Sequence, residues 1–146
     1  MGELHRQGRR VADFFLVYIR EAHAVDSAWP MGAPDGSVVE EPISLDERCE
    51  NARRCKEALG LGELPALIDR LDGAADRAYE AWPDRMVLID ADGRIAWRSA
   101  PGPFGFEPAE LRVALQQEVR RVRALEATTP ASAADEAGAI TTGTEG

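Results

Sequence analysis

Glu21 and His23 stand two residues apart just beyond the apolar run Phe14-Phe15-Leu16-Val17-Tyr18-Ile19. A carboxylate next to an imidazole is the pairing that proton transfer needs, because the carboxylate orients the ring and raises a pKa that already lies near neutrality. The two side chains share one side if the backbone stays extended. Taken by themselves they are equally an ordinary polar strand end. A second place is Trp82-Pro83-Asp84-Arg85, where the bond before Pro83 reads as trans, the common state. A third is Gly102-Pro103-Phe104-Gly105-Phe106, a stiff loop whose two rings either plug the core or wall an apolar substrate. Cys49 and Cys55 are six apart in one expected helix and so point to different faces, which disfavours a bridge between them. Cys55, among Ala52 and Leu59, reads as a buried inert thiol. Cys49 lies near the helix start, where the macrodipole favours a thiolate, but no basic partner is foreseeable and it is not expected to act as a nucleophile. His5, on a charged segment, reads as a surface histidine.

The elements that must position these groups follow from pattern. Gly2 to Arg10 reads as the tail of a helix with Leu4 as its large apolar anchor. Phe14 to Ile19 is short and continuously apolar, which suits a parallel strand buried on both faces. A long loop, Glu21 to Pro42, is rich in Pro, Gly, Asp and Ser, and loops of this length are usually functional or mobile. Ser44-Leu45-Asp46-Glu47 is a capping box opening a helix to about Leu59, with Gly60 as its stop. Pro65 to Leu71 reads as a second strand, and Ala74 to Trp82 as a short helix with Tyr79 and Trp82 inward. Met86–Ile89 and Arg94–Arg98 flank Asp90-Ala91-Asp92-Gly93, a strong hairpin signal. From Pro108 a last helix carries Leu111, Leu115, Val119, Val122 and Leu125 at spacings of three and four. The order is that of an α/β, thioredoxin-like mixed sheet with flanking helices and its first strand missing. Such folds often hold a cis proline beside the redox site, at the place Pro83 occupies.

A length of 146 residues, 45% of them hydrophobic, fits one globular domain, expected over residues 1–126 with a disordered tail over 127–146. A net charge of -9 argues against nucleic acid and against anionic membrane surfaces. No apolar stretch has the length of a membrane span, and Gly2 to Arg10 is too polar for a secretory signal. The expectation is a soluble, cytoplasmic protein with reduced thiols.

Read together, Phe14-Phe15-Leu16-Val17-Tyr18-Ile19-Arg20-Glu21-Ala22-His23 with Asp26, Ala81-Trp82-Pro83-Asp84-Arg85, Asp92-Gly93-Arg94-Ile95-Ala96-Trp97-Arg98 and Pro101-Gly102-Pro103-Phe104-Gly105-Phe106-Glu107-Pro108-Ala109-Glu110-Leu111 resemble the iodothyronine deiodinase family. The likeness covers about residues 4–118. Members are thioredoxin-fold proteins that remove iodine reductively from iodothyronine rings, using selenocysteine or cysteine and a thiol reductant. The resemblance implies that Glu21 and His23 belong to the catalytic network, that Tyr18 lines the same site, and that His23 binds the phenol or protonates the ring carbon. It also leads Pro83 and Phe104 to be expected against the substrate.

Two departures stand out. The family's nucleophile lies on a loop after a first strand, and the present residues begin inside the helix that follows it. Ser27-Ala28-Trp29 stands where the family more often has Gly-Trp. The expected reading is therefore a deiodinase-like oxidoreductase without its Cys or Sec nucleophile in these residues, and so inactive alone. A thiol-dependent peroxidase and a non-catalytic thioredoxin-like binding module are the alternatives. No metal and no bound cofactor are expected, a thiol reductant serving as co-substrate and a halogenated aromatic molecule as substrate. A homodimer is also expected, since a sheet lacking one strand exposes unpaired edges.

Overall fold

The computed structural model describes residues 1–27, 30–31 and 39–128. Its first helix, α1 (Gly2–Gly8), buries Leu4 to 4% exposure against Met86 and Leu111, with Phe14, Leu88 and Trp97 packed around them. The strand β1 is shorter than its apolar run, spanning Leu16–Tyr18, because Phe14 turns back onto α1. The Phe14 ring meets His5 edge-on at 5.6 Å and fills the space beside Gly8, so His5 is half-buried packing rather than a surface group.

β1 pairs in parallel with β2 (Ala66–Ile68), Leu16 opposite Ala66 and Tyr18 opposite Ile68. The inward side chains of this pair face α2 (Leu45–Ala58), which buries Arg48 and Ala52. Ser44 caps α2 by accepting the Glu47 N–H at 3.2 Å. The return bond of the capping box slips by one residue, Glu47 Oε2 accepting from the Ile43 N–H at 2.9 Å. Gly60, at φ +62°, ends the helix in a conformation that costs glycine little. A short helix α3 (Ala74–Tyr79) follows and stops before Trp82.

The hairpin is formed by β3 (Val87–Ile89) and β4 (Ile95–Arg98), antiparallel. Asp90 Oδ1 accepts the N–H groups of Asp92 and Arg94, and Gly93 at φ +79° completes the turn. Against the hairpin lies α4 (Pro108–Thr128), with Leu111, Ala114 and Leu115 buried. The apolar stripe then leaves the core, and Leu125 is 53% exposed. The helix continues through residues 127 and 128, past the expected domain boundary; the expected disordered tail from 129 onward lies outside the described residues. So do residues 28–29 and 32–38 of the long loop.

The architecture is mixed α/β with small sheets and flanking helices, consistent with a thioredoxin-like fold. One feature differs from a continuous mixed sheet: among the described residues the two strand pairs do not join. Leu16 and Tyr18 spend their backbone groups on β2 through the Leu16 N–H to Pro65 O and Asp69 N–H to Tyr18 O bonds, both 2.9 Å. Val17 therefore turns its amide and carbonyl to the opposite edge. In the same way Met86 and Asp90 bond toward β4, leaving Val87 and Ile89 directed away from it. The strand expected to be buried on both faces is half-buried on one and open on the other: Val17 is 43% and, beside it, Leu67 50% exposed. Edges of this kind pair with other chains. The purified 146-residue chain is expected to self-associate or to unfold at low temperature. Size-exclusion chromatography with thermal unfolding checks this, and a monomer melting cooperatively above about 65 °C contradicts it.

A candidate proton-transfer site at the carboxyl end of β1

Beyond Tyr18 the chain bends at Arg20 and again at Ala22, so Glu21 does not continue the strand. Its carboxylate instead turns back. The Tyr18 hydroxyl donates to Glu21 Oε1, and Asn51 on α2 supplies a second hydrogen bond. The Glu21 N–H donates to Glu41 Oε2 at 2.8 Å. Glu41 in turn pairs with Arg48 Nη2 at 2.8 Å, and Arg48 Nη1 reaches the carbonyl of Arg70 at 2.8 Å and that of Asp69. Arg48 is 2% exposed, so a buried guanidinium ties the site to α2 and to the end of β2.

Burial raises the pKa of Glu21 first of all, and the nearby Glu41 charge adds to it; the bonds from Tyr18 and Asn51 and the charge of Arg48 oppose this without cancelling it. Burial and the charge of Glu21 also push the Tyr18 hydroxyl well up, which keeps it protonated and donating. Glu21 thus holds its proton above the ordinary glutamate range, in reach of a polar cavity of about 670 Å³ lined by Arg20, Glu21, Glu41, Arg48, Asp72 and Asp76 among others. A carboxyl that charges reluctantly is suited to taking up and releasing a proton.

This shift has a stability consequence. A native pKa above the unfolded one means the native state binds the proton more tightly, so stability falls as pH rises from the ordinary glutamate range through the raised value. Glu21→Gln keeps the shape and removes the titration. Relative to the parent, the variant is expected to gain several degrees in Tm between acidic and mildly alkaline pH. A Tm difference that stays constant across that range removes the assignment.

The other sequence-selected residues fall into two groups. Pro83 follows Trp82 through a cis bond, where the common state led trans to be expected. Trp82 is drawn to the site: its N–H donates to Asp76 Oδ1 at 3.0 Å, Asp76 pairs with Arg20 at 2.8 Å, and Arg20 lies 5.1 Å above the indole ring. Tyr18 and Glu21 thus meet at the end of β1, and Trp82, the residue before Pro83, is tied through Asp76 and Arg20 to the segment that follows the strand. His23 lies next in the chain, exposed, between the bend at Ala22 and Ala24, which is 1% exposed and anchors the segment. The Val25 N–H to Val39 O bond, 2.9 Å, closes the base of the loop. Phe104 is 95% exposed and does not plug the core. The tight path of its loop is set by Gly105, where a Cβ would come within 2.5 Å of the Ala100 backbone.

Pattern reading missed the contribution of α2. Arg48, Asn51 and Cys55 recur at helical spacing, three and four apart, and this face meets Tyr18 and Glu21. Cys55 is half-buried near that pair rather than enclosed in the core, and burial followed by the Glu21 charge raises its thiol pKa. Cys49 is exposed. Among the described residues no cluster of His, Cys, Asp and Glu is placed to hold a metal, and no helix is long and apolar enough to cross a membrane.

Comparison with known proteins adds a second line of observation. The family model described as iodothyronine deiodinase matches residues 3–119. The type II iodothyronine deiodinase of Petromyzon marinus is 36% identical over 115 residues, covering 78% of this chain and 38% of that protein. The thyroxine 5-deiodinase of Gallus gallus is 32% identical over 113 residues, 77% of this chain and 42% of that protein. The type I iodothyronine deiodinase of Xenopus laevis is 29% identical over 108 residues, 74% and 40% respectively. The chain thus spans about two-fifths of the length of these relatives.

Proposed function

Because the chain belongs to the iodothyronine deiodinase family, we propose that it forms the thioredoxin-like body of a reductive deiodinase acting on an iodothyronine-type aromatic substrate. The observation that carries this reading is the Tyr18–Glu21 hydrogen bond at the carboxyl end of β1, in a carboxyl group whose burial makes it hold a proton. Replacing ring iodine by hydrogen needs two things: a soft nucleophile that takes the iodine without its bonding electrons, and a proton for the ring carbon that keeps them. A thiol then attacks the iodinated sulfur or selenium, releasing iodide and leaving a mixed disulfide or selenenyl sulfide.

The proton side of this chemistry is assigned to Glu21 and His23, with Tyr18 holding Glu21 in place and Pro83 beside the substrate. The nucleophile side is not assigned to either cysteine. Cys49 is exposed on α2, and Cys55 carries a raised pKa that lowers its thiolate fraction. The attacking sulfur or selenium is supplied from outside these 146 residues. The reading calls for a thiol co-substrate and no resident cofactor, in a reducing compartment such as the cytoplasm.

Dithiol-dependent iodide release from thyroxine tests it. The 146 residues alone are expected to release none, and protein that joins them to a strand bearing a Cys or Sec nucleophile is expected to release it. Release by the short chain that is lost in Cys49→Ser or Cys55→Ser would overturn the assignment of the nucleophile. No release by that joined protein would overturn the function.

A further inference from the structure

Far from the β1 site, α1 and α4 enclose a groove of about 310 Å³. Its floor is apolar, made by Leu4, Leu115 and Val119, and its charged lining residues are Arg112, Arg120 and Arg123. Among the described residues no aspartate or glutamate lines it, in a chain with 26 acidic and 17 basic residues. Arg121, on the same helix, is held by Glu118 at 2.6 Å, and Arg53 and Arg54 are held by Glu50 at 2.8 and 2.9 Å. Among the described residues no carboxylate pairs with Arg112, Arg120 or Arg123. The surface arginines of α2 are thus paired locally, whereas on α4 only Arg121 has a carboxylate partner among the described residues, and the other three all line the groove.

We propose that this groove docks an acidic, amphipathic helical segment of a partner protein. Its apolar floor receives one row of side chains, and its guanidinium groups, without a carboxylate partner among the described residues, receive carboxylates on either side of that row. The span from Arg112 to Arg123 is eleven residues of helix, about 16 Å, which matches a partner helix of three turns with anchors at i, i+4 and i+7. Arginine is the cation suited to such a rim, because its planar fork binds carboxylates in pairs and it is enriched at protein interfaces. The concave shape favours a side-chain ridge over a flat bilayer surface, and the net charge of -9 repels an anionic membrane at long range.

The test uses the full chain and a fluorescein-labelled peptide of about 14 residues built from Leu, Ala and Glu with leucines on one helical stripe. Fluorescence anisotropy is read at physiological ionic strength. Saturable binding is expected, weakened about tenfold or more both by Arg120→Glu combined with Arg123→Glu and by Val119→Gln. Arg120 and Arg123 are exposed, so the charge reversals leave the fold intact by circular dichroism. A scrambled peptide of the same composition and one with Lys for Glu are expected to bind at least tenfold more weakly. The proposal is overturned by no binding, by equal binding of the scrambled peptide, or by affinity that ignores the charge reversals. It is equally overturned if phosphatidylserine vesicles take up the chain with the same dependence on Arg120 and Arg123 while the peptide does not bind.

Discussion

In protein that joins these residues to a cysteine or selenocysteine nucleophile, His23→Ala is expected to lower the rate of iodide release by roughly 10²–10⁴. That is the usual worth of a positioned general acid, and the ring carbon must receive a proton as the iodine departs. The position supports the role: His23 is exposed at the carboxyl end of β1, next to the anchored Ala24 and two residues from the proton-holding Glu21. If the two groups serve one proton path, Glu21→Gln lowers the rate as well, and the double variant is little worse than the poorer single one. Steady-state kcat and its pH profile with thyroxine and a dithiol provide the measurement. A change of less than about threefold in His23→Ala excludes a general acid of ordinary size. Independent, multiplying losses in the double variant exclude the shared path.

Asp69→Ala is expected to destabilise the chain by about 3–5 kcal/mol, enough to unfold a large fraction of a small domain. Asp69 is 4% exposed and follows β2. Its Oδ1 accepts the N–H groups of Arg70 and Ala75, both at 2.8 Å, and its Oδ2 accepts that of Asp76 at 3.0 Å. Gly73 at the start of α3 has no side chain to cap it, so Asp69 supplies the acceptors from outside the helix. Losing it leaves buried donors unmet, each costing roughly 1–3 kcal/mol.

The effect reaches the site, because α3 carries Asp76, which holds both Arg20 and the Trp82 amide. Burial alone would raise the Asp69 pKa, but the three N–H bonds and the charge of Arg48 outweigh it and hold the carboxyl below its ordinary value. A lowered native pKa gives stability that is present above the ordinary aspartate range and lost as pH falls through the native value. Urea unfolding of the parent and of Asp69→Ala at neutral and acid pH should therefore converge toward low pH. A neutral-pH difference below about 1 kcal/mol would show that water replaces the carboxylate.

What the residues determined by themselves is what neighbours in sequence decide. The cap at Ser44, the stop at Gly60, the Asp90–Gly93 turn and the start of α4 at Pro108 each depend on a few consecutive residues, whose preferences hold wherever the segment lies. The apolar run before Glu21 and the order of elements carried the fold class in the same way, His23 and Pro83 stood out by residue type and place, and the resemblance added Tyr18.

Tertiary structure decided the rest, because it depends on groups that meet across long stretches of chain. Asn51 and Cys55 on α2 come to Tyr18 and Glu21 across thirty or more residues, and Arg48 reaches Asp69 and Arg70 across 21 and 22. A stripe on α2 reads only as amphipathic until the strand it faces is known. Phe104 illustrates the converse: composition marks its loop as stiff, yet the ring points to solvent, since the close approach of Gly105 to Ala100 sets the path. The open faces of Val17 and Leu67 follow from the same cause. A strand's hydrophobicity records what it is built to be covered by, while its exposure depends on which partners lie against it.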